Sequence, residues 1–251
     1  PFPTRPAAFD RQGFTEEDLI DYTPELRAMA LEAVQDFRLS KTIFTPPSLQ
    51  DHPDGTRGLL SLPSSTGGAN WEHSAFDPET GIVYVPSRTQ LQVLALAKNP
   101  DSDIELSQGF GVRAPRVQGL EIVKPPYGRV TAIDMNSGEH LWWIANADTP
   151  ERIKNHPLLE GIDVPRTGIP TRSGVLLTKT LLFVGEGTGG AGASPIFRAV
   201  DKTTGEILFE LDLPDNQTGL PFTYEHDGKQ YLAMFVGGSG NPAQLVAYAL
   251  P

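Results

Sequence analysis

Apolar and polar positions along this chain fall mostly into short runs bounded by turn residues. Ala75-Phe76-Asp77 and Ile82-Val83-Tyr84-Val85-Pro86 flank Asp77-Pro78-Glu79-Thr80-Gly81. This predicts a hairpin with strands over 71–77 and 82–86. The Asp accepts bonds from nearby backbone N–H and hydroxyl groups, and the Gly supplies a positive φ. The same sign, Asp-x-x-Ser/Thr-Gly between apolar runs, returns at Asp134-Met135-Asn136-Ser137-Gly138 and at Asp201-Lys202-Thr203-Thr204-Gly205. Three copies, each about sixty residues after the last, mark a repeat architecture.

Further strands are predicted over 58–63, 129–134, 140–145, 174–178, 181–185, 197–201, 206–211, 222–225, 230–236 and 244–249. Four antiparallel strands per unit, with a fixed turn between the last two, is the plan of a propeller blade. Two units are complete and a third stops at three strands. The expected fold is therefore all-β, part of a propeller of about three four-stranded antiparallel blades, too few to close a ring alone. Residues 1–57 break the pattern. Thr15-Glu16-Glu17-Asp18 reads as a helix start, and Thr23-Pro24 opens an amphipathic helix with Leu26, Met29, Ala30, Ala33, Val34 and Phe37 at 3–4 spacing. This segment is expected to be a connector with short helices on the propeller rim, ahead of blades over 58–251. The stretches 91–126 and 149–170 read as irregular loops.

Composition narrows the function. With 25 Gly and 23 Pro, turns are many and long helices few. A net charge of -11 argues against nucleic acid or an anionic membrane as partner. The absence of cysteine excludes disulfides, thiolate zinc sites, a cysteine nucleophile and attached c-type haem. No apolar run approaches the roughly 20 residues of a membrane helix, so no direct membrane insertion by this segment is expected. The chain starts at Pro1 without Met and reads as a mature, processed or fragmentary chain.

Gly67-Gly68-Ala69-Asn70-Trp71 ahead of the first hairpin, the repeated Ala-x-Asp-x-x-Ser/Thr-Gly, and the ending Phe222-Thr223-Tyr224-Glu225-His226-Asp227-Gly228-Lys229-Gln230-Tyr231-Leu232 together resemble the pyrroloquinoline quinone (PQQ)-dependent dehydrogenases. The opening Pro1-Phe2-Pro3-Thr4-Arg5-Pro6, with Phe9-Asp10-Arg11-Gln12-Gly13 and Thr45-Pro46-Pro47-Ser48, is similar to the glucose (aldose) dehydrogenase branch. The resemblance covers essentially the whole chain and implies the C-terminal portion of an eight-bladed β-propeller acting in the periplasm. It also implies PQQ on the propeller axis beside Ca²⁺, and an Asp base that takes the proton of a sugar or alcohol hydroxyl as hydride passes to the quinone. The calcium ligands, the base and the basic residue over the quinone belong in that family to blades before Pro1. The N-terminal blades, from the same protein or a second chain, are thus the expected partner, and the isolated chain is expected to be inactive.

What the resemblance leaves to this chain is part of the cofactor pocket: Asn70, Trp71, and Gly240 and Asn241 of the loop Gly237-Gly238-Ser239-Gly240-Asn241. Asn70 serves equally as a turn residue, and Trp71 more readily as a packing residue than as a ligand contact. The family's tryptophan-docking positions map to Trp142 and to Phe209, which would keep the packing and lose the indole N–H. The five histidines show no pair at metal spacing, and His73 lies nearest the Asn70 corner. A second reading, from another class, is a non-catalytic propeller-type module for binding or assembly.

Overall fold

The computed structural model describes residues 4–42, 44–70, 74–101, 103–188, 190–238 and 240–249. Thr15 opens only a single 3-10 turn (Glu16–Asp18). The Asp18 carboxylate accepts from the Thr15 N–H at 2.9 Å and from its hydroxyl at 3.1 Å. Leu19 then turns extended to bridge Val123 and bury its side chain, which ends the turn. Thr23 and Pro24 do start a helix, α1 (Pro24–Ala33), with the Thr23 hydroxyl accepting from the Leu26 N–H at 3.2 Å. Leu26 and Ala30 are buried, as is Val34 just beyond, while Met29 stays exposed.

Three short strands follow: β1 (Arg38–Leu39), β2 (Ser48–Leu49) and β3 (Leu59–Ser61). Then come the hairpin strands β4 (Ala75–Asp77) and β5 (Ile82–Arg88). The stretch 91–126, expected to be irregular, instead contributes β6 (Gln92–Lys98), β7 (Leu106–Gln108), β8 (Arg116–Val117) and β9 (Leu120–Glu121). β6 is the spine of a five-stranded sheet. It runs antiparallel to β3 and β7 and parallel to β2, and β1 lies parallel to β3. Val93 and Ala95 alternate inward along β6 to join Phe14, Leu26, Leu60 and Ile122 in one apolar cluster. The segment before the first hairpin and residues 89–127 thus form an excursion from the propeller with its own core, drawn from residues on both sides of that hairpin.

The chain returns to the propeller with β10 (Gly128–Asp134) and β11 (Glu139–Ala145). The first blade has the order β4-β5-β10-β11, with the β6 to β9 part of the excursion inserted between its second and third strands. After the short helix α2 (Glu151–Lys154), the strands β12 (Val175–Leu177), β13 (Leu181–Gly185), β14 (Ile196–Asp201) and β15 (Ile207–Asp212) form the second blade in sequence order. β16 (Phe222–His226), β17 (Lys229–Val236) and β18 (Gln244–Ala249) make a three-stranded third.

The three Asp turns differ in place. Those at Asp134 and Asp201 join the last two strands of their blades, but that at Asp77 joins the first two. Their local chemistry is shared: Asp201 Oδ1 accepts from the Thr203 and Thr204 N–H groups at 2.7 and 2.9 Å, and Gly205 has φ +79°. Both later turns precede a register shift that sets Trp142 opposite Ala132 and Phe209 opposite Ala199.

One apolar cluster joins the first two blades through Tyr84, Val130, Leu182 and Val200, and another joins the second and third through Phe197, Met234 and Val236. At the first junction the Trp142 indole N–H donates to the Lys202 carbonyl at 3.2 Å, and its ring lies over Gly205. The Lys202 ammonium reaches back to Asp77 Oδ2 at 2.6 Å in a nearly buried pair. Phe209 does not repeat this packing. It is 62% exposed and borders an apolar cleft of about 450 Å³ between the second and third blades.

Trp142→Phe removes the indole donor and is expected to cost about 1–2 kcal/mol in urea unfolding. Gly205→Ala puts a methyl 2.9 Å from the Trp142 ring on a positive-φ backbone, with an expected cost of about 1–3 kcal/mol. Unchanged urea midpoints in both variants would show that the junction contributes nothing. The Lys202 ammonium, followed by turn hydrogen bonds, holds the Asp77 carboxyl below its ordinary 3.8. That contribution is complete above pH 3.8 and is lost as pH falls through the lowered value. Melting temperature followed from about pH 5 to pH 2 should fall less steeply for Asp77→Asn than for the parent protein.

Candidate functional site

The first strands of consecutive blades, β4 and β12, lie side by side, and the polar chemistry gathers at the strand ends near them. β5 ends at Arg88, which is buried and donates from Nη2 to the Thr66 hydroxyl at 2.7 Å. Its backbone N–H donates to the Gly68 carbonyl at 2.8 Å, pinning the glycine corner to the strand end. Across the junction, Arg172 precedes β12 and exchanges backbone bonds of 2.7 and 3.1 Å with Thr188, just after β13. Thr66, Arg88, Arg172 and Thr188 border one open recess of about 630 Å³. Arg172 and Thr188 also border a second, of about 340 Å³, that reaches Gln217 ahead of the third blade. Gln217 donates from Nε2 to the Gly174 and Gly219 carbonyls, and its buried Oε1 has no partner.

A buried carboxylate supports this face from behind. Asp10 Oδ1 accepts from Arg129 Nη2 at 2.8 Å, from the Arg11 N–H at 2.8 Å and from the Thr89 hydroxyl at 3.3 Å. Its Oδ2 has no partner and lies against Gly68, where an added Cβ would sit 1.7 Å away. Burial pushes the Asp10 carboxyl up, with Arg129 opposing.

Asn70 is exposed and donates from Nδ2 to the Thr66 carbonyl at 3.0 Å, so it borders the recess through Thr66. Trp71 and the neighbouring His73 lie outside the described residues. The glycine-rich loop approaches the recess through Gly238, whose Cβ would stand 3.6 Å from Thr188 Cγ2. Gly240 has φ +88° with open space around it, and Asn241 donates from Nδ2 to Asp215 Oδ2 at 3.1 Å. No described contact joins Asn70 to Gly240 or Asn241. Arg88, Arg172 and Thr188 escape motif reading because each is a lone residue at or near the end of a different strand, and Asp10, though it stands in Phe9-Asp10-Arg11-Gln12-Gly13, gives no sign there of its partners. Only the fold brings them together.

Two guanidinium groups beside hydroxyls and a glycine-lined approach suit a planar, polyanionic ligand. Guanidinium forks match carboxylates, and glycine allows close contact. The donor set therefore fits the carboxylates of PQQ. Among the described residues no group of three or more His, Asp or Glu side chains is placed to hold a metal ion.

The family model for the β-propeller domain of PQQ glucose/ethanol/alcohol dehydrogenases matches residues 1–232. The chain is similar to the glycerol dehydrogenase large subunit of Gluconobacter thailandicus, at 30% identity over 83% of this chain and 31% of that protein. It is also similar to the quinate/shikimate dehydrogenase (quinone) of Acinetobacter baylyi, at 28% identity over 78% of this chain and 27% of that one. Quinoprotein glucose dehydrogenase of Gluconobacter oxydans is 26% identical over 83% of this chain and 28% of its own length. The chain thus spans about 30% of the length of the curated relatives it matches.

Gly68→Ala drives a methyl into Asp10 Oδ2. The expected cost is about 1–3 kcal/mol in unfolding free energy, as for an overpacked core. An unchanged melting temperature would show that the glycine corner has room to move.

Proposed function

The chain belongs to the β-propeller family of the PQQ glucose/ethanol/alcohol dehydrogenases, and on that footing we propose that it forms three blades of an eight-bladed periplasmic quinoprotein oxidising a sugar or alcohol hydroxyl. The observation that carries this reading is the recess where Arg88 and Arg172, from adjoining blades, meet beside the glycine corner. When bound, PQQ supplies the hydride acceptor. Arg88 and Arg172 would hold its carboxylates, and the Thr66 and Thr188 hydroxyls would flank them. Asn70, with an amide that both donates and accepts, would border the pocket, as would Trp71, Gly240 and Asn241.

The chain supplies no base in this reading. The Asp base and the Ca²⁺ ligands belong to the N-terminal blades, in the same protein or in a second chain. The two outer blade faces support such neighbours. Phe76, Leu141 and Trp143 are exposed on the face of the first blade turned away from the second. Phe222, Tyr224, Phe235 and Leu245 are exposed on the far face of the third. Open apolar sheet faces of this kind are what adjoining blades cover. A fourth strand paired to β18 would complete the last blade.

Titrating the whole protein with PQQ tests the pocket. Arg172→Ala is expected to weaken binding about 10- to 100-fold, the loss of a charge-assisted hydrogen bond. Asn70→Ala should weaken it by a smaller factor. PQQ binding absent from the parent protein, or insensitive to both changes, would favour the non-catalytic module instead. The isolated chain with Ca²⁺ and PQQ should reduce no dye, and dye reduction would overturn the assignment of the base to other blades.

A further inference from the structure

We propose that the cleft between the excursion and the second blade is a subsite that recognises the hydroxyl groups of a cyclic polyol substrate. This deepens the dehydrogenase reading and rests on it for the chemistry that follows binding. Residues 90–92 form a thin wall whose one side borders the arginine-lined recess and whose other side borders a cleft of about 610 Å³. A substrate held in this cleft would lie next to the recess proposed for the cofactor.

The chemistry of the cleft suits polyols. Gln90 and Gln108 project amides that make no hydrogen bond among the described residues, and each amide both donates and accepts. Vicinal hydroxyl groups need that dual capacity. Phe110 is 79% exposed and lines the cleft. Its two neighbours set the course of the chain there. Gly109 donates to the Ala95 carbonyl at 2.9 Å on β6, and Gly111 turns the chain back with φ +91°. An aromatic face held out beside amides fits the C–H face of a sugar-like ring, with the ring hydroxyls turned to the amides. Arg113, also without a hydrogen bond or ion pair among the described residues, adds a donor at the rim. The excursion has a core of its own, so this wall is built on a packed sheet.

The test uses the whole protein and two surface variants, Phe110→Ala and Gln108→Leu. Saturation-transfer NMR with myo-inositol and D-glucose reads ring binding directly, without need of turnover. Both variants are expected to weaken polyol binding about tenfold. In the loaded enzyme the KM for D-glucose should rise in step, while the KM for 1-propanol and the affinity for PQQ stay within about twofold. Polyol binding that is absent, or unchanged in both variants, overturns the subsite. So does an equal rise in the KM for 1-propanol, since a monohydric alcohol has no second hydroxyl to recognise. Polyol binding that persists in a protein unable to bind PQQ supports the subsite while removing the reading of the recess.

Discussion

The stack of blades depends on one join, where Trp142 of the first blade lies across the turn of the second. Its indole satisfies the Lys202 carbonyl, its ring rests on a glycine that has no side chain to obstruct it, and the Lys202 ammonium returns to Asp77. Three unlike interactions meet at one turn: a hydrogen bond, close packing and a shielded ion pair. Their joint effect is geometric. They fix the second blade against the first, which sets β4 beside β12 and brings Arg88 and Arg172 to the same recess. The polar face is therefore a product of blade packing and has no local sequence of its own.

The excursion acts on that face from the other side. Asp10 reaches across to Arg129 on β10 and Thr89 beyond β5, and its bare oxygen fills the space beside Gly68. The β6 sheet carries the wall that divides the recess from the cleft. A segment that looks peripheral along the chain thus supports both regions where ligands are proposed to sit.

Much of the fold was legible because its signals are local. Asp-x-x-Ser/Thr-Gly is a complete turn in five residues, and the strand on each side carries its own alternation. β6 was missed for the opposite reason. Its run of Val, Leu and Ala carries no Asp-x-x-Ser/Thr-Gly turn, and apart from β7 its partners are two- and three-residue strands well before it in the chain. The equivalence drawn between the three turns failed at Asp77, because identical turn chemistry serves the first pair of strands there and the last pair elsewhere. Phe209 was expected to keep its packing, but the packing partner of a docking aromatic is the next blade's turn. At the candidate site Asn70 stood out through its motif, while the arginines are single residues whose meaning appears only across a junction.

Placing β6 to β9 between β5 and β10 has a consequence for the order in which the protein folds. The second blade is built from consecutive hairpins, so each pairing closes a short loop and can form early. The first blade cannot be completed that way. β10 must find β5 across nearly forty intervening residues, and the excursion draws its core from both sides of the first hairpin. The second blade is then the template, and the first closes upon it once the intervening sheet has condensed. The residues of the proposed pocket would come together last, at the slowest step of the chain's assembly.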